Sequence, residues 1–227
     1  MNKALIFDSS SIISLAMNSL LPELRELKMI FDGDFIITDE VKYEIIDRPL
    51  EIKRFALEAL QTQELFNAGI FVKPEKVGIK SSEITKMTNA ILDKANTIFE
   101  VRKKPVHIID KGEASCMALN RLLLDIKYKS VIVVDERTTR ILGEKPENMR
   151  KLLEKKLHMN VIQVNDYNIL NFKGFEFIRS SELIYVAYKK NLTKIKGKKG
   201  LDAMLWSLKF KGAAISDEEI KEIEKIN

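Results

Sequence analysis

The sequence has few of the residues that support disulfide, zinc or imidazole chemistry. Cys116 is the only cysteine in 227 residues, so an internal disulfide is excluded, as is typical of proteins from reducing compartments. Its surroundings look helical, which favours the role of a small buried hydrophobe. The two histidines, His107 and His158, are too few to form a zinc site with that cysteine. They also make general acid–base catalysis by imidazole a weak hypothesis, although one histidine would suffice for it.

Long apolar runs and an N-terminal glycine-rich loop are also missing. No run of eighteen apolar residues occurs, so we expect no membrane span. Asp8 interrupts the first apolar run too early for a secretory signal, and a cytoplasmic location is therefore expected. No glycine precedes Phe31, which argues against a dinucleotide-binding or Walker-type phosphate loop.

Charge is unevenly distributed along the chain. Residues 1–149 carry 22 basic and 23 acidic side chains, a net charge of −1, whereas residues 150–227 carry 16 and 10, a net charge of +6. This asymmetry favours a polyanionic partner such as RNA, while a lysine-rich solvated surface explains the same numbers. Phosphate contacts are expected from Lys196, Lys198 and Lys199. Trp206 and Phe210 could stack on bases, but the apolar spacing around them favours a core helix.

Short apolar segments alternate with helical patterns along the first 170 residues. Strands are predicted at 3–7, 34–38, 70–72, 130–134 and 160–164, and helices at 40–47, 81–102, 110–124 and 147–158. This alternation predicts an α/β domain over residues 1–170, with a parallel sheet between helices in three layers. Residues 171–227 are predicted to form a small, mainly helical and basic C-terminal extension.

Four acidic residues lie where such a fold would bring side chains together. Asp8 and Asp135 end predicted strands, and Glu44 and Glu113 lie on predicted helices. Ligands bind at the carboxyl ends of the strands in open α/β sheets. Carboxylates that converge there repel each other unless cations bind between them, and oxygen ligands prefer Mg²⁺ or Mn²⁺.

Each of these acids also has a structural interpretation. Asp8 and Asp135 are suited to begin helices as N-caps, and Glu44 could be an ordinary solvated helix residue. Asp110 and Glu113 have the spacing of a capping box. No single position decides between these alternatives.

Taken together, four segments resemble the PIN-domain family in order and approximate spacing. They are Asp8-Ser9-Ser10, the helix around Glu44, Asp110-Lys111-Gly112-Glu113-Ala114, and Val134-Asp135-Glu136 with the residues up to Arg140. The resemblance covers residues 1–170 and implies a small α/β domain that is typically a metal-dependent ribonuclease. It implies that Asp8, Glu44, Glu113 and Asp135 are the catalytic, metal-binding acids. It also implies that Ser10 is the hydroxyl residue near the metal and that Arg140 is a basic substrate-binding residue. Glu136 departs from one branch of the family, which often has a second aspartate there.

From this resemblance we expect one or two Mg²⁺ or Mn²⁺ ions and hydrolysis of RNA phosphodiester bonds. RNA is the expected partner, and a second copy of the chain, a small antitoxin or an RNA-processing protein are alternatives that stay open. Two other functions also stay open: a non-catalytic RNA-binding or regulatory module, and the toxin of a toxin–antitoxin pair. A phosphatase that forms an aspartyl phosphate is disfavoured because Ser10 occupies the position where that chemistry usually has a second acid.

Overall fold

The computed structural model describes residues 2–165, 169 and 171–226. In chain order, the strands are β1 Lys3–Phe7, β2 Asp34–Ile36, β3 Phe71–Val72, β4 Phe99–Val101, β5 Lys104–Pro105, β6 Lys129–Val133, β7 Ile162–Gln163 and β8 Phe177–Ile178. Five of them form a parallel sheet in the order β3-β2-β1-β6-β8. The other three form a small antiparallel sheet in the order β5-β4-β7.

Helices flank the parallel sheet, so the predicted α/β class with helices around a parallel sheet is confirmed. The α-helices are α1 Ser9–Met17, α2 Leu21–Ile30, α3 Asp39–Lys42, α4 Arg48–Leu50, α5 Ala56–Asn67, α6 Ser81–Ala95, α7 Lys111–Asp125, α8 Arg137–Glu144, α9 Met149–Leu157, α10 Ser180–Lys189, α11 Lys198–Phe210 and α12 Asp217–Lys225. A π-helical turn, Tyr43–Asp47, joins α3 to α4, and 3₁₀ turns cover Pro74–Val77 and Pro146–Asn148. None of the described helices is both long enough and apolar enough to cross a membrane.

Strand β1 lies at the centre of the parallel sheet because its side chains are apolar on both faces. Ile6 and Phe7 are fully buried although they point to opposite faces. Phe7 packs against Phe35 of β2 and Phe71 of β3, with ring centroids 5.0 and 5.3 Å away. This packing fixes the carboxyl end of β1, and therefore the position of Asp8.

Two predicted elements differ from the structure. The helix predicted over 81–102 ends at Ala95, and Phe99 is buried in β4 instead of continuing the helix. The strand predicted at 160–164 forms as β7, but it pairs antiparallel with β4 rather than joining the parallel sheet. Strand β4 could not be predicted within the helical pattern of residues 81–102 because a two- or three-residue strand has no recognisable period.

The fifth strand of the parallel sheet comes from the range assigned to the C-terminal extension. Strand β8 pairs with β6, and side chains of α10 and α11 join the main core. The predicted boundary at 170/171 lies beside Leu170, which is outside the described residues. Helices α11 and α12 also enclose a second apolar cluster, made of Leu201, Leu205, Ile215, Ile220 and Ile223. Helix α12 begins with the predicted capping box, in which the Glu219 N–H donates to Ser216 Oγ at 3.1 Å.

Candidate active site

An open cleft of about 740 Å³ lies beyond the carboxyl end of β1, and we call it the acid cleft. Elements from distant parts of the sequence contribute to its walls: the start of α1, the π-helical turn, the start of α7 and the start of α8. Five carboxylates line it, together with a smaller number of cationic side chains. The carboxylates are those of Asp8, Glu44, Asp110, Glu113 and Glu136, and the cationic side chains are those of Arg48, Lys111 and Lys156.

Asp8 is the most buried of these acids, with 1% of its surface exposed. One oxygen, Oδ2, accepts hydrogen bonds from the backbone N–H and the hydroxyl of Ser10, at 3.0 and 2.5 Å. The other oxygen, Oδ1, is buried and has no hydrogen-bond partner among the described residues. Burial raises the pKa of Asp8 to about 6, and the negative charge of Glu44 adds to this effect. Asp8 therefore combines an N-cap role for α1 with an unsatisfied oxygen.

Glu113 lies in the first turn of α7 and is largely buried. Its Oε2 accepts a hydrogen bond from the Asp110 backbone N–H at 2.7 Å, which is the predicted capping-box contact. Its Oε1 accepts a hydrogen bond from the Thr139 hydroxyl at 2.5 Å. Burial and then the nearby charge of Asp8 raise the pKa of Glu113 to about 8. Asp8 and Glu113 both line the acid cleft, so the negative charge of Asp8 acts on the Glu113 carboxylate.

Glu44 reaches the cleft from the π-helical turn, an irregularity that is frequent at functional sites. Burial raises its pKa, and the negative charges of Asp110 and Glu40 raise it further. Its carboxylate lies against Gly112, where an added Cβ would be 2.6 Å from Glu44 Oε2. A glycine at this position of α7 therefore leaves the space that the Glu44 carboxylate occupies.

Asp135, the fourth predicted acid, does not line the acid cleft. Its side chain is 1% exposed, and both oxygens are bound by Ser180 at the start of α10. Oδ1 accepts from the Ser180 backbone N–H at 2.8 Å, and Oδ2 accepts from the Ser180 hydroxyl at 2.6 Å. Burial raises the pKa of Asp135, while the hydrogen bonds from Ser180 act in the opposite direction. The structure thus brings Asp8, Glu44 and Glu113 together and directs the Asp135 carboxylate to the C-terminal region.

Ser10 links the two strand-end aspartates. Its hydroxyl donates to Asp8 Oδ2 and accepts a hydrogen bond from the Asp135 backbone N–H at 3.0 Å. It lines the acid cleft, as the prediction of a hydroxyl residue near the acids requires. The main chain at Asp135 therefore helps to orient Asp8, even though the Asp135 side chain points elsewhere.

The sequence reasoning missed two further acids in the cleft as site residues. Glu136 follows Asp135 directly, and its Oε1 accepts hydrogen bonds from the Thr138 backbone and hydroxyl at 3.2 and 2.7 Å. For Asp110 the sequence predicts only a capping role, and its Oδ1 lies 2.7 Å from His107 Nε2. The position of Glu136 directly after Asp135 was the sequence signal that could have indicated it. Consecutive side chains at the end of a strand point in different directions, so one of two adjacent acids can face the cleft when the other does not.

The remaining predicted substrate contacts lie away from the acid cleft. Arg140 pairs with Glu144 at 3.4 Å and lines a different cavity, beside residues 214–216. Lys196 donates to the Asn191 carbonyl at 2.7 Å, and Lys198 and Lys199 line a cavity against α12. Phe210 is 76% exposed and stacks on Trp206. The apolar positions of α11 that were predicted to be core are buried, namely Leu201, Met204, Leu205 and Leu208.

The acid cleft fits a hydrated hard cation better than a fully enclosed metal ion. Among the described residues, no three or more His, Cys, Asp or Glu side chains form a group that could hold a metal ion as they stand. The donors in the cleft are nevertheless carboxylate oxygens, and Asp8 Oδ1 has no described partner. The charge of Glu44 raises the pKa of Asp8, and the charge of Asp8 raises the pKa of Glu113. Mg²⁺ commonly keeps several waters and contacts only one or two carboxylates, which is compatible with this arrangement.

Comparison of the chain with family models, curated proteins and solved structures yields no match. The interpretation of the acid cleft therefore depends on its own geometry and chemistry.

Proposed function

We propose that this protein is a divalent-metal-dependent ribonuclease of the PIN type, which hydrolyses RNA phosphodiester bonds in the acid cleft. The observation that carries the proposal is the convergence of Asp8, Glu44 and Glu113, from three separate elements, at the carboxyl edge of a parallel sheet. Their raised pKa values are typical of carboxylates that are assembled for a ligand rather than for stability. A cytoplasmic location belongs to the same proposal.

Asp8, Glu44 and Glu113 are the residues that would hold the cation, with direct contacts from one or two of them and contacts through bound water from the rest. Bound Mg²⁺ or Mn²⁺ would supply an activated water and stabilise negative charge on the phosphate oxygens. Ser10 fixes one oxygen of Asp8 and leaves Oδ1 for the ion. Thr139 and the Asp110 backbone fix the rotamer of Glu113. The chain thereby positions its ligands before the substrate arrives, which reduces the cost of ordering them.

Cationic side chains at the rim of the cleft are suited to bind the RNA backbone. Lys111 Nζ lies 2.6 Å from Glu40 Oε1, and Lys156 Nζ lies 3.9 Å from Glu136 Oε1. Each lysine would therefore exchange a solvated ion pair for a phosphate contact when RNA binds. Arg48 is exposed and makes no ion pair with any described carboxylate. These contacts do not depend on base sequence and are weakened by salt.

A non-catalytic RNA-binding module is the second candidate. It is favoured by the engagement of Asp135 with Ser180, which leaves the cleft without one of the four acids that the resemblance implies. Such a protein would bind RNA through the same cationic rim but would not turn it over.

Calorimetric titration with Mn²⁺, combined with a cleavage assay on fluorescent single-stranded RNA, distinguishes these functions. We expect the wild type to bind Mn²⁺ and cleave RNA, and Asp8→Asn and Glu113→Gln to lose most of both properties. Asp135→Asn is the matched comparison, and it should retain Mn²⁺ affinity if thermal melting shows that it is folded. RNA binding without cleavage, at any Mn²⁺ or Mg²⁺ concentration, would replace the ribonuclease proposal with the second candidate.

A further inference from the structure

A second cavity of about 290 Å³ adjoins the acid cleft, and we call it the apolar pocket. Its walls come from α1, the π-helical turn and the start of α5. Ile13, Glu44 and Arg48 line both cavities, so the two are continuous. The volume is close to the lower end of the range for pockets that hold small organic molecules, about 300 Å³.

The walls of the apolar pocket expose large apolar side chains to solvent. Ile13 and Met17 are each 42% exposed, Phe55 is 40% exposed and Ile52 is 39% exposed. The Arg54 guanidinium lies 5.4 Å from the centre of the Phe55 ring and adds a flat cationic surface beside it. Aromatic and apolar side chains of this kind form the surfaces on which unstacked bases of single-stranded RNA bind.

One polar group in this pocket lacks a partner. Glu58 Oε2 is buried and accepts no hydrogen bond from the described residues. An ionised carboxylate can only accept hydrogen bonds, so a buried one is stabilised by a ligand that donates N–H or O–H groups. The pocket therefore combines an apolar surface with a few polar groups, of which the Glu58 carboxylate has an oxygen without a described partner, and this is the usual composition of a site for a flat organic group.

Arg48 lies on the wall that the two cavities share. Arg48 is an exposed residue and makes no ion pair with a carboxylate in the described ranges, so its guanidinium is available to bind a phosphate. A nucleotide with its base in the apolar pocket and its phosphate at Arg48 would place the next part of the strand at Asp8 and Glu113. A base bound in the apolar pocket would therefore lie next to the phosphate that reaches the acid cleft.

We propose that the apolar pocket binds one unstacked nucleobase beside the phosphate that is cleaved, and that Glu58 makes guanine the preferred base. Guanine presents two adjacent N–H donors, at N1 and N2, to a carboxylate. Adenine and cytosine each present an amino group next to an acceptor nitrogen, and uracil presents one N–H between two carbonyl oxygens. The inference rests on the proposed function for the position of the cleaved phosphate, but base binding in the pocket does not require cleavage.

The test is binding of the four nucleoside 5′-monophosphates to the full chain in buffer that contains Mg²⁺, followed by NMR of labelled isoleucine methyl groups. We expect guanosine monophosphate to shift the methyl resonances of Ile13 and Ile52, which line the pocket, and not that of Ile162 on β7. Its affinity should exceed that of the other three by about 10-fold, the discrimination of a good base contact.

Three variants separate base recognition from general effects. Glu58→Gln should remove most of the preference for guanine, whereas Glu64→Gln, an exposed position on the same helix and outside the pocket, should retain it. Phe55→Ala should lower the affinity for all four nucleotides to a similar extent.

Equal affinities in the wild type, or an unchanged preference in Glu58→Gln, would overturn the inference even if the protein cleaves RNA. No shift of the pocket methyls with any nucleotide would overturn it as well, and an apolar segment of a partner protein would become the occupant to examine. Conversely, guanine preference without RNA cleavage would support the pocket while refuting the ribonuclease proposal.

Discussion

Asp8 and Asp135 are alike in sequence and differ in their surroundings. Each follows a buried inner strand and is 1% exposed, but Asp8 is the N-cap of α1, whereas the N-cap of α8 is Glu136 and not Asp135 as the sequence suggests. Both oxygens of Asp135 are bound by Ser180, which lies 45 residues further along the chain. Asp8 has one bound oxygen and one without a described partner. A strand-end aspartate can therefore anchor a distant segment or remain available to a ligand, and the distant partner decides which.

Asp8→Asn should have the largest effect on activity. We expect the rate of RNA cleavage to fall at least about 100-fold, as when one group that stabilises transition-state charge is removed. The melting temperature should stay equal or rise because a buried charge is lost. Single-turnover cleavage at saturating Mn²⁺ and thermal melting measure the two effects. Near wild-type cleavage would mean that Asp8 is only a helix cap.

Asp135→Ala should instead lower stability. Removing the carboxylate leaves the buried Ser180 N–H and hydroxyl without their acceptor, which costs about 3 kcal/mol. For a chain of this size the melting temperature would fall by roughly 6–12 °C. Ser180→Ala, which loses only the hydroxyl contact, should have a smaller effect. If Asp135→Ala melts like the wild type but fails to cleave RNA, the comparison with Asp8 is wrong.

The free energy of unfolding of the metal-free protein should decrease as pH rises from about 4 to 8. Asp8 and Glu113 have folded-state pKa values of about 6 and about 8, above the ordinary values of 3.8 and 4.5. In that range the folded protein holds protons that the unfolded chain has released, so rising pH favours unfolding. We expect the free energy of unfolding in urea titrations to be several kcal/mol lower at pH 8 than at pH 4.5.

Two controls sharpen this pH prediction. Glu113→Gln should reduce the slope of the free energy of unfolding against pH because it removes the group with the higher pKa. Glu64→Gln, at an exposed position, should leave that slope unchanged. Mn²⁺ should restore more stability at pH 8 than at pH 5, since it binds the deprotonated carboxylates. A flat pH profile would show that the acids do not share the proposed environment.

Gly112→Ala should weaken cation binding without unfolding the protein. The new Cβ would lie 2.6 Å from Glu44 Oε2 and would displace that carboxylate. We expect roughly a 10-fold loss of Mn²⁺ affinity, similar to the loss of a group that orients a metal ligand. Stability should be preserved because alanine is a better helix former than glycine by up to about 1 kcal/mol. Unchanged Mn²⁺ affinity in calorimetry would argue against Glu44 as a ligand.

The double change Lys198→Ala with Lys199→Ala should have the smallest effect. These lysines lie outside the acid cleft, so the cleavage rate at saturating RNA should not change. If they contact phosphates, the slope of log affinity against log salt should decrease by about 1 to 2. Lys86→Ala, on the exposed face of α6, is the control. An unchanged salt slope would leave these lysines as a solvated surface.

The parallel sheet was predictable because its central strands are continuous apolar runs. Residues 3–7 and 130–134 match β1 and β6 within one residue. Strand β8, with only two residues, was missed because pairing with β6 creates it rather than any local pattern. The small antiparallel sheet was missed for the same reason, as β4 and β7 are distant in sequence.

The candidate site was predictable in residue type but not in side-chain direction. Asp8, Glu44 and Glu113 were expected at one edge of the sheet, and they line one cleft because strand ends and helix starts meet there. The direction of Asp135 depends on Ser180, and no pattern near residue 135 indicates that contact. The apolar pocket was also missed because its walls come from three elements that meet only in the folded chain.

The central position of β1 has a consequence for the order of folding. Its neighbour β6 is far away in sequence: Ser11 and Val133, which are hydrogen-bonded, are 122 residues apart. Strand β1 can pair with β2 soon after both are synthesised, but its other edge has no partner until β6 has also been made. Closing so long a loop costs entropy before any contact repays it, and such topologies fold slowly. The acid cleft, which depends on this pairing, would consequently be completed among the last parts of the molecule.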